Sequence, residues 1–476
     1  MRLRVQIVIE PDDDEPNGDR PSAVVHDVAS IERDELTVDT LGIQLAEAKL
    51  LLQRVQEVLI DEQVRSCLSQ QLACLSCGRP RAHKDTKTIV TRTLFGTVRL
   101  ASPRWFHCAC QSQPTRTFCP LAAALPERTT PELLYLESKF AGLVSYEQSA
   151  RLLAETLPLG RRLHASAVRL HTLSTAERLE SELGPEQPMF AEGCQRDWDA
   201  LPRPDLPLTV GLDGGYVHSS QQRSRRDGWF EVIAGKSMPT NGPAKCFGYV
   251  QTFDTKPKRR LFEVLKSQGM AMNQQVTFFT DGGDDVRDLP LYLNPQSEQY
   301  LDWFHVTMRI TVLSQFAKGL RVRDNSSLAK TVLDELERLK WFLWHGNVYR
   351  ALETIDGLEF DLDLEGAGLE QRKLLKAVVE FGGYIRANGV SIPNYGERHR
   401  NGETISSAFV ESAVNQIVSK RMVKKQQMRW APKSAHLLLQ VRTKVLNNDL
   451  GVAFKRWYPN FVTPAESTSE PMELAA

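Results

Sequence analysis

From Leu41 to Leu72 the apolar positions Leu45, Leu50, Leu51, Val55, Val58, Leu59 and Val64 recur at helical spacing. They predict one long amphipathic helix over 41–73 that packs on its neighbour or on a second copy. Beyond it the period changes to two: TIVTRTLFGTVRLASPRW alternates as a hairpin turning near Gly96. Residues 129–183 return to helical periodicity in three runs. The last two, SYEQSARLLAETL and HASAVRLHTLSTAERLESEL, joined across PLGRRL, have the form of a helix-turn-helix. A Pro-rich linker over 184–206 precedes a set of short β-rich runs, LTVGLDGGYV, WFEVIAGKSM, KCFGYVQTF and VTFFTDGGDDV, with a helical LFEVLKSQGM among them. Helical patterns then fill much of 306–400 and return in GETISSAFVESAVNQIVSKRM, where Val410, Val414 and Ile417 make an inward stripe. The fold class expected from this order is multidomain α+β.

The two ends read differently. Residues 1–40 are acidic and broken by Pro and Gly (PDDDEPNGDRP), which predicts a flexible acidic arm, and 461–476 reads as a flexible tail. The 476 residues hold 41% hydrophobic and 25% charged residues, a globular composition large enough for several domains. No apolar run is long enough to span a bilayer, and the first residues turn acidic where a signal peptide would turn apolar. A cytoplasmic protein with no membrane partner is expected.

Equal numbers of basic and acidic residues, 59 each, would argue against a nucleic-acid partner if the charge were evenly spread. It is not. Residues 74–110 carry seven basic residues against one acidic, and Gln416–Lys433 carries Lys420, Arg421, Lys424, Lys425, Arg429 and Lys433 with no acidic residue. One isolated basic run is most simply a solvated face, but two runs beside other motifs point to phosphate contacts.

Cys74-Leu-Ser-Cys77 is followed 31 residues later by Cys108-Ala-Cys110, with the hairpin between them. That layout predicts a zinc-ribbon-like module over 74–120, because tetrahedral Zn²⁺ takes two thiolates from each knuckle and substitutes for a core too small to fold alone. Cys119, His83 and His107 are rival ligands, and buried unliganded thiols are the alternative.

Three carboxylates stand out in the C-terminal half. Asp213 and Asp281 each end an apolar run and precede Gly-Gly, as though each sat at the exposed end of a strand with glycines admitting a ligand backbone. Glu411 shares a helical face with Asn415. Three converging carboxylates supply the hard oxygens that a pair of divalent ions needs for phosphodiester chemistry. Taken singly, Asp before Gly-Gly is a common turn and Glu in a helix is ordinary. Asp284, Asp285 and Asp302 compete for the second position and Glu403 for the third.

LDGGYV around Asp213, FFTDGG around Asp281, DWFHVTMR at 302–309 and FVESAVNQIVSKRM with QMRW around and after Glu411 resemble the DDE transposases of bacterial insertion sequences, specifically the ISKra type, distantly Mutator-like. RTLFGTVRL with the cysteine pairs and LPERTTPELLYLESKFAGLVSYEQSA resemble the N-terminal part of the same family, so the likeness spans about residues 41–460. The resemblance implies an RNase H-like catalytic domain, its first part over 207–305, interrupted by an α-helical insertion over 306–400 and closed by a last helix and basic region over 401–460. It implies Asp213, Asp281 and Glu411 as catalytic ligands of Mg²⁺ or Mn²⁺, cleaving DNA at terminal inverted repeats and joining it to target DNA as a homodimer or larger assembly. His305 of the Asp-x-x-His signature would help position the cleaved strand. Lys420, Arg421, Lys424, Lys425 and Arg429 would grip phosphates, and Trp430 would stack on a base or else belong to the core. A non-catalytic DNA-binding protein, or a two-metal nuclease without strand transfer, are the alternatives.

Overall fold

Within 1–40, expected as a flexible acidic arm, the described residues include two strands, and the acidic 11–22 lies outside the described residues. Strand β1, Arg2–Ile9, pairs antiparallel with β2, Val24–Glu32. Leu3, Val5, Ile7 and Ile9 alternate with Arg2, Arg4 and Gln6, a period-two pattern that the acidic composition obscures. The structure is a computed structural model and describes residues 1–10, 23–110, 116–159, 163–186, 196, 200, 208–221, 228–271, 273–283, 297–320, 326–364, 367–406, 408–423 and 428–463. The chain is a mixed α+β molecule that divides into two units, Met1–Thr175 with Leu450–Ala476, and Ala176–Asp449. No helix among the described residues is long and apolar enough to cross a membrane.

In the first unit the predicted amphipathic helix is α1, Leu45–Ser69, opened by a reciprocal Gln44/Glu47 capping box. Arg33, just past β2, donates to Glu47 at 2.8 and 2.5 Å and ties the hairpin to the helix start. The predicted hairpin is β3, His83–Thr93, against β4, Gly96–Phe106, with the short β5, Thr117–Phe118, beside β4. Ile89, Leu100 and Leu121, the last from α2 (Pro120–Ala124), pack against Ile60, Val64, Cys67 and Leu68 of α1. The three later helical runs are α3 (Pro131–Leu143), α4 (Tyr146–Thr156) and α5 (Ala165–Leu183). Ser145 and Gln148 cap α4 reciprocally. Helix α14, Leu450–Trp457, also belongs here, with Tyr135 edge-on to Phe454 at 5.4 Å.

In the second unit, β6 (Leu208–His218), β7 (Trp229–Pro239) and β8 (Lys245–Val250) form an antiparallel meander. Strands β9 (Val276–Thr280) and β10 (Glu298–Leu301) extend it in parallel, giving the five-stranded order β10-β9-β6-β7-β8. One face is covered by α6, Pro257–Lys266, whose Leu261, Phe262 and Leu265 meet Leu208, Val210 and Leu212. Because strand side chains alternate, Gly211, Asp213 and Gly215 point to the opposite face. Helices α7 (Trp303–Leu320), α8 (Ser326–Trp344), α9 (Val348–Leu362), α10 (Leu369–Asn388) and α11 (Tyr395–Arg400) follow, packed around a core of their own that includes Val306, Leu336, Ile355 and Phe381. Then come α12 (Ala408–Val414), a π-helical continuation over Asn415–Val423, and α13 (Pro432–Leu446), which packs on β8.

Candidate functional site

Parallel register builds the site. Leu208 pairs with Val276 and Gly211 with Phe279; continued by two residues, this register brings Asp213 level with Asp281 of the neighbouring strand, near enough for the Asp281 charge to act on Asp213. Leu301 pairs with Thr280, so Asp302 follows as the next member of the row. Three acids therefore line the carboxyl ends of adjacent parallel strands, where open α/β sheets place their ligands. Asp281 does end its strand. Asp213 does not: β6 continues to His218 because β7 keeps pairing with it, and only the parallel ladder stops before Asp213.

Glu411 arrives from above. Helix α12 packs on β6 and β7, and the glycines flanking Asp213 let it lie close. A Cβ at Gly211 would sit 1.9 Å from a Val410 methyl, and one at Gly215 would sit 3.2 Å from a Val414 methyl. These glycines thus admit the helix that bears Glu411, rather than the backbone of a ligand. Gly211→Ala should accordingly cost about 1–3 kcal/mol in urea denaturation through overpacking and displace Glu411, whereas Gly215→Ala should cost less. Equal and negligible losses at both positions would contradict this packing.

The acids sense one another. Burial, with the charges of Asp281 and Glu411, pushes the Asp213 carboxyl up, while His305 and the Gly214 N–H, at 2.8 Å, oppose the rise. Asp302 is fully buried and already committed: its carboxylate accepts from the Phe304 N–H at 2.9 Å, capping α7, and from His305 Nδ1 at 2.8 Å. That bond turns His305 Nε2 toward Asp213, 4.0 Å away. Burial lowers the His305 pKa, but the hydrogen bond to Asp302 and the charges of Asp302, Asp213 and Asp281 outweigh it, so the imidazole is held above its ordinary value.

Two tyrosines from the helical segment hold the same strand ends. Tyr384 of α10 donates to the Asp281 main-chain carbonyl at 2.9 Å, with the Arg309 guanidinium 4.0 Å over its ring. Tyr395 of α11 donates to the Leu301 carbonyl at 2.7 Å. Gly282 has φ +83°, and a Cβ there would meet Asn388 Oδ1 at 2.7 Å. Nothing in the spacing of the chain marks either tyrosine.

The basic region needs correction. Lys420 and Arg429 are exposed, as phosphate contacts require, and Lys424 and Lys425 lie outside the described residues. Arg421 is 1% exposed, with its guanidinium 5.3 Å from the Trp430 ring, and Trp430 is 4% exposed. Trp430 also extends the sheet: its N–H donates to the His218 carbonyl at 2.8 Å and its own carbonyl accepts from Ser220 at 2.9 Å. Neither side chain is a surface for phosphate or base. Helical spacing is the physical reason: Arg421 continues the inward Val410, Val414 and Ile417 stripe by one turn, and Ile417, Val418, Arg421 and Met422 are buried together.

The sulfurs of Cys74, Cys77, Cys108 and Cys110 all lie within 4.8 Å of one another, with Cys74–Cys110 at 3.5 Å and Cys77–Cys108 at 3.4 Å. Zinc–sulfur bonds of about 2.3 Å in a tetrahedron imply sulfur–sulfur edges of about 3.8 Å, so the group could bind zinc. The main-chain amides of Ser76 and Cys77 lower the Cys74 thiol to about 6, while the neighbouring sulfurs push Cys110 up to about 12. The rise at Cys110 follows from negative charge gathering where a cation would neutralise it, and the fall at Cys74 from amides aimed at its sulfur. The rivals are engaged elsewhere: Cys119 Sγ meets Ser102 Oγ at 2.7 Å, His83 Nε2 meets Thr86 Oγ1 at 3.0 Å, and His107 lies 4.8 Å from the Phe118 ring.

Glu180, Asp254 and His436 form a second cluster with metal-like spacing. Its centre already holds a cation. Arg260 donates to Glu180 at 2.7 Å, to Asp254 at 2.9 Å and to Gln440 at 2.6 Å, so we read it as a buried ion-pair network.

No protein-family model matches the chain, and no curated protein matches it. Among solved structures it is similar to a chain of the Drosophila P element transposase strand transfer complex, with 9% identity and a TM-score of 0.31, over 67% of this chain and 93% of that one.

Proposed function

We propose that this chain is a DDE transposase of an insertion sequence, cutting DNA at terminal inverted repeats and joining the freed ends to target DNA. The observation that supports this reading is that Asp281 and Glu411 lie near enough for their charges to act on Asp213, the first brought level by strand register and the second by a helix laid over Gly211 and Gly215. The mixed sheet, with Asp281 at the end of a parallel strand beside the one that bears Asp213 and with α7–α11 before the Glu411 helix, supports an RNase H-like catalytic domain with a helical insertion.

Asp213, Asp281 and Glu411 would hold Mg²⁺ or Mn²⁺, and the burial that raises Asp213, with the smaller contribution of the Asp281 and Glu411 charges, fits a site built for a divalent cation. When bound, the metal supplies activation of a water or 3′-hydroxyl and charge stabilisation of the leaving oxygen. The remaining work falls to the chain. Asp302 fixes the orientation of His305, whose charge lies beside Asp213 and would attract a scissile phosphate. Tyr384 and Tyr395 hold the strand ends that set the spacing of the acids. Lys420 and Arg429 would contact the DNA backbone, and the cysteine module with α4 and α5 would engage the inverted repeats.

The test is direct. Purified protein with Mg²⁺ or Mn²⁺ should nick duplexes carrying its element's own ends and join them to a target duplex, and EDTA should stop both. Folded protein that does neither in either metal would overturn the reading, and nicking without joining would make the chain a nuclease.

A further inference from the structure

We infer that strand β1 is a self-association edge, pairing antiparallel with β1 of a second copy of this chain to make one four-stranded sheet. This goes beyond the catalytic reading and concerns a surface that reading does not use. Hairpin β1–β2 is a two-stranded sheet, and among the described residues β2 is the only strand paired with β1. Helix α1 packs against β2, whereas the outer edge of β1 meets no described strand. An open edge presents a row of backbone donors and acceptors to any extended partner. Two strands alone make a marginal sheet, and four make a sound one.

The hairpin is one of several segments that expose large apolar side chains: Met1 is 83% exposed, Leu3 49%, Val8 53%, Val24 48% and Val25 53%. A cluster of exposed large apolar residues marks a partner surface.

The sequence of β1 selects the partner. Arg2 and Arg4 stand at one end and Glu10 just past the other, with apolar residues between. A two-fold axis at Gln6 sets Gln6 against its own copy, Val5 against Ile7, Leu3 against Ile9 and Arg2 against Glu10. Val5, Ile7, Leu3 and Ile9 meet apolar partners, Arg4 lies across from Val8, and opposite charges meet at both ends, as a self-complementary two-fold interface requires. Moving the axis by half a residue would pair the half-buried Val5, Ile7 and Ile9 face with the exposed Arg4, Gln6 and Val8 face, which the pleat disfavours. Within one chain Arg2 rests against Glu32 at 3.0 Å, with both side chains more than half exposed, so it remains accessible to a second copy.

Light scattering on the full chain, with its DNA absent, tests this independently of catalysis. The wild type should dimerise at micromolar concentration. Arg2→Glu and Glu10→Arg should each weaken dimerisation about tenfold, and the double exchange should restore it. Both residues are on the surface, so the variants should fold. A monomeric wild type would overturn the inference, as would single exchanges without effect or a double exchange that fails to restore the dimer.

Discussion

Asp281→Asn should lower DNA nicking by at least about 10³-fold, about 4 kcal/mol of transition-state stabilisation, while leaving fold and DNA binding intact. The substitution keeps shape. Its side-chain oxygen can still accept from the Gly283 N–H, now at 3.0 Å, and Tyr384 bonds the main chain, which does not change. Only charge is removed. Stability should respond in a particular direction. Burial and the neighbouring acids raise the folded pKa of Asp213 above its unfolded value. The associated stability is therefore present below the unfolded pKa and is lost as pH rises through the folded one. At neutral pH the metal-free site carries that electrostatic cost, and Asp281→Asn should reduce it. The metal-free variant should then be at least as stable as the wild type in thermal melts, yet gain nothing from added Mg²⁺, which should stabilise the wild type. Nicking at the wild-type rate, or an undiminished Mg²⁺ effect on the melt, would remove Asp281 from the site.

How far the site was legible in the sequence depends on what each signal encodes. The strand leading to Asp281, with Gly-Gly after it, is a local pattern, and the strand end is where the structure has it. The same pattern misplaces the end of β6, because the length of a strand depends on its partner, and β7 pairs as far as His218. The roles of Gly211 and Gly215 are tertiary: they follow from a helix about two hundred residues away in the chain. In the basic run past Glu411, Lys420 and Arg429 face outward, but Arg421 continues the inward helical stripe into the core and Trp430 is held there by β6. In the N-terminal hairpin the alternation of β1 was visible, but the acidic stretch that follows dominated the composition. Tyr384 and Tyr395 carry no motif, because a tyrosine that bonds a distant carbonyl looks like any buried aromatic.

The second large effect belongs to the cysteine module. Freshly purified protein should contain about one zinc per chain, lost on joint Cys74→Ser and Cys77→Ser substitution and retained in Cys119→Ser. Cys119 is the discriminating control, since it has a thiol in the same module but meets Ser102 instead of the cluster. Size makes metal removal costly. The apolar core shared by β3, β4 and α2 is small, with Ile89, Leu100 and Leu121 as its buried members and α1 completing it. A structural zinc site contributes about 10–16 kcal/mol of apparent binding energy at neutral pH, more than such a core supplies. Chelation should therefore expose Trp105, which is 5% exposed, and red-shift its emission, while the Asp213 unit, with its own cores, keeps its protection from hydrogen exchange. Affinity for the inverted repeats should fall with the metal if the basic hairpin Lys84–Arg104 reads them. Protein that is zinc-free as isolated, or a module indifferent to chelation, would leave the four cysteines as unliganded thiols, from buried Cys74 to exposed Cys77 and Cys110. The hairpin would then have to be stable on α1 alone.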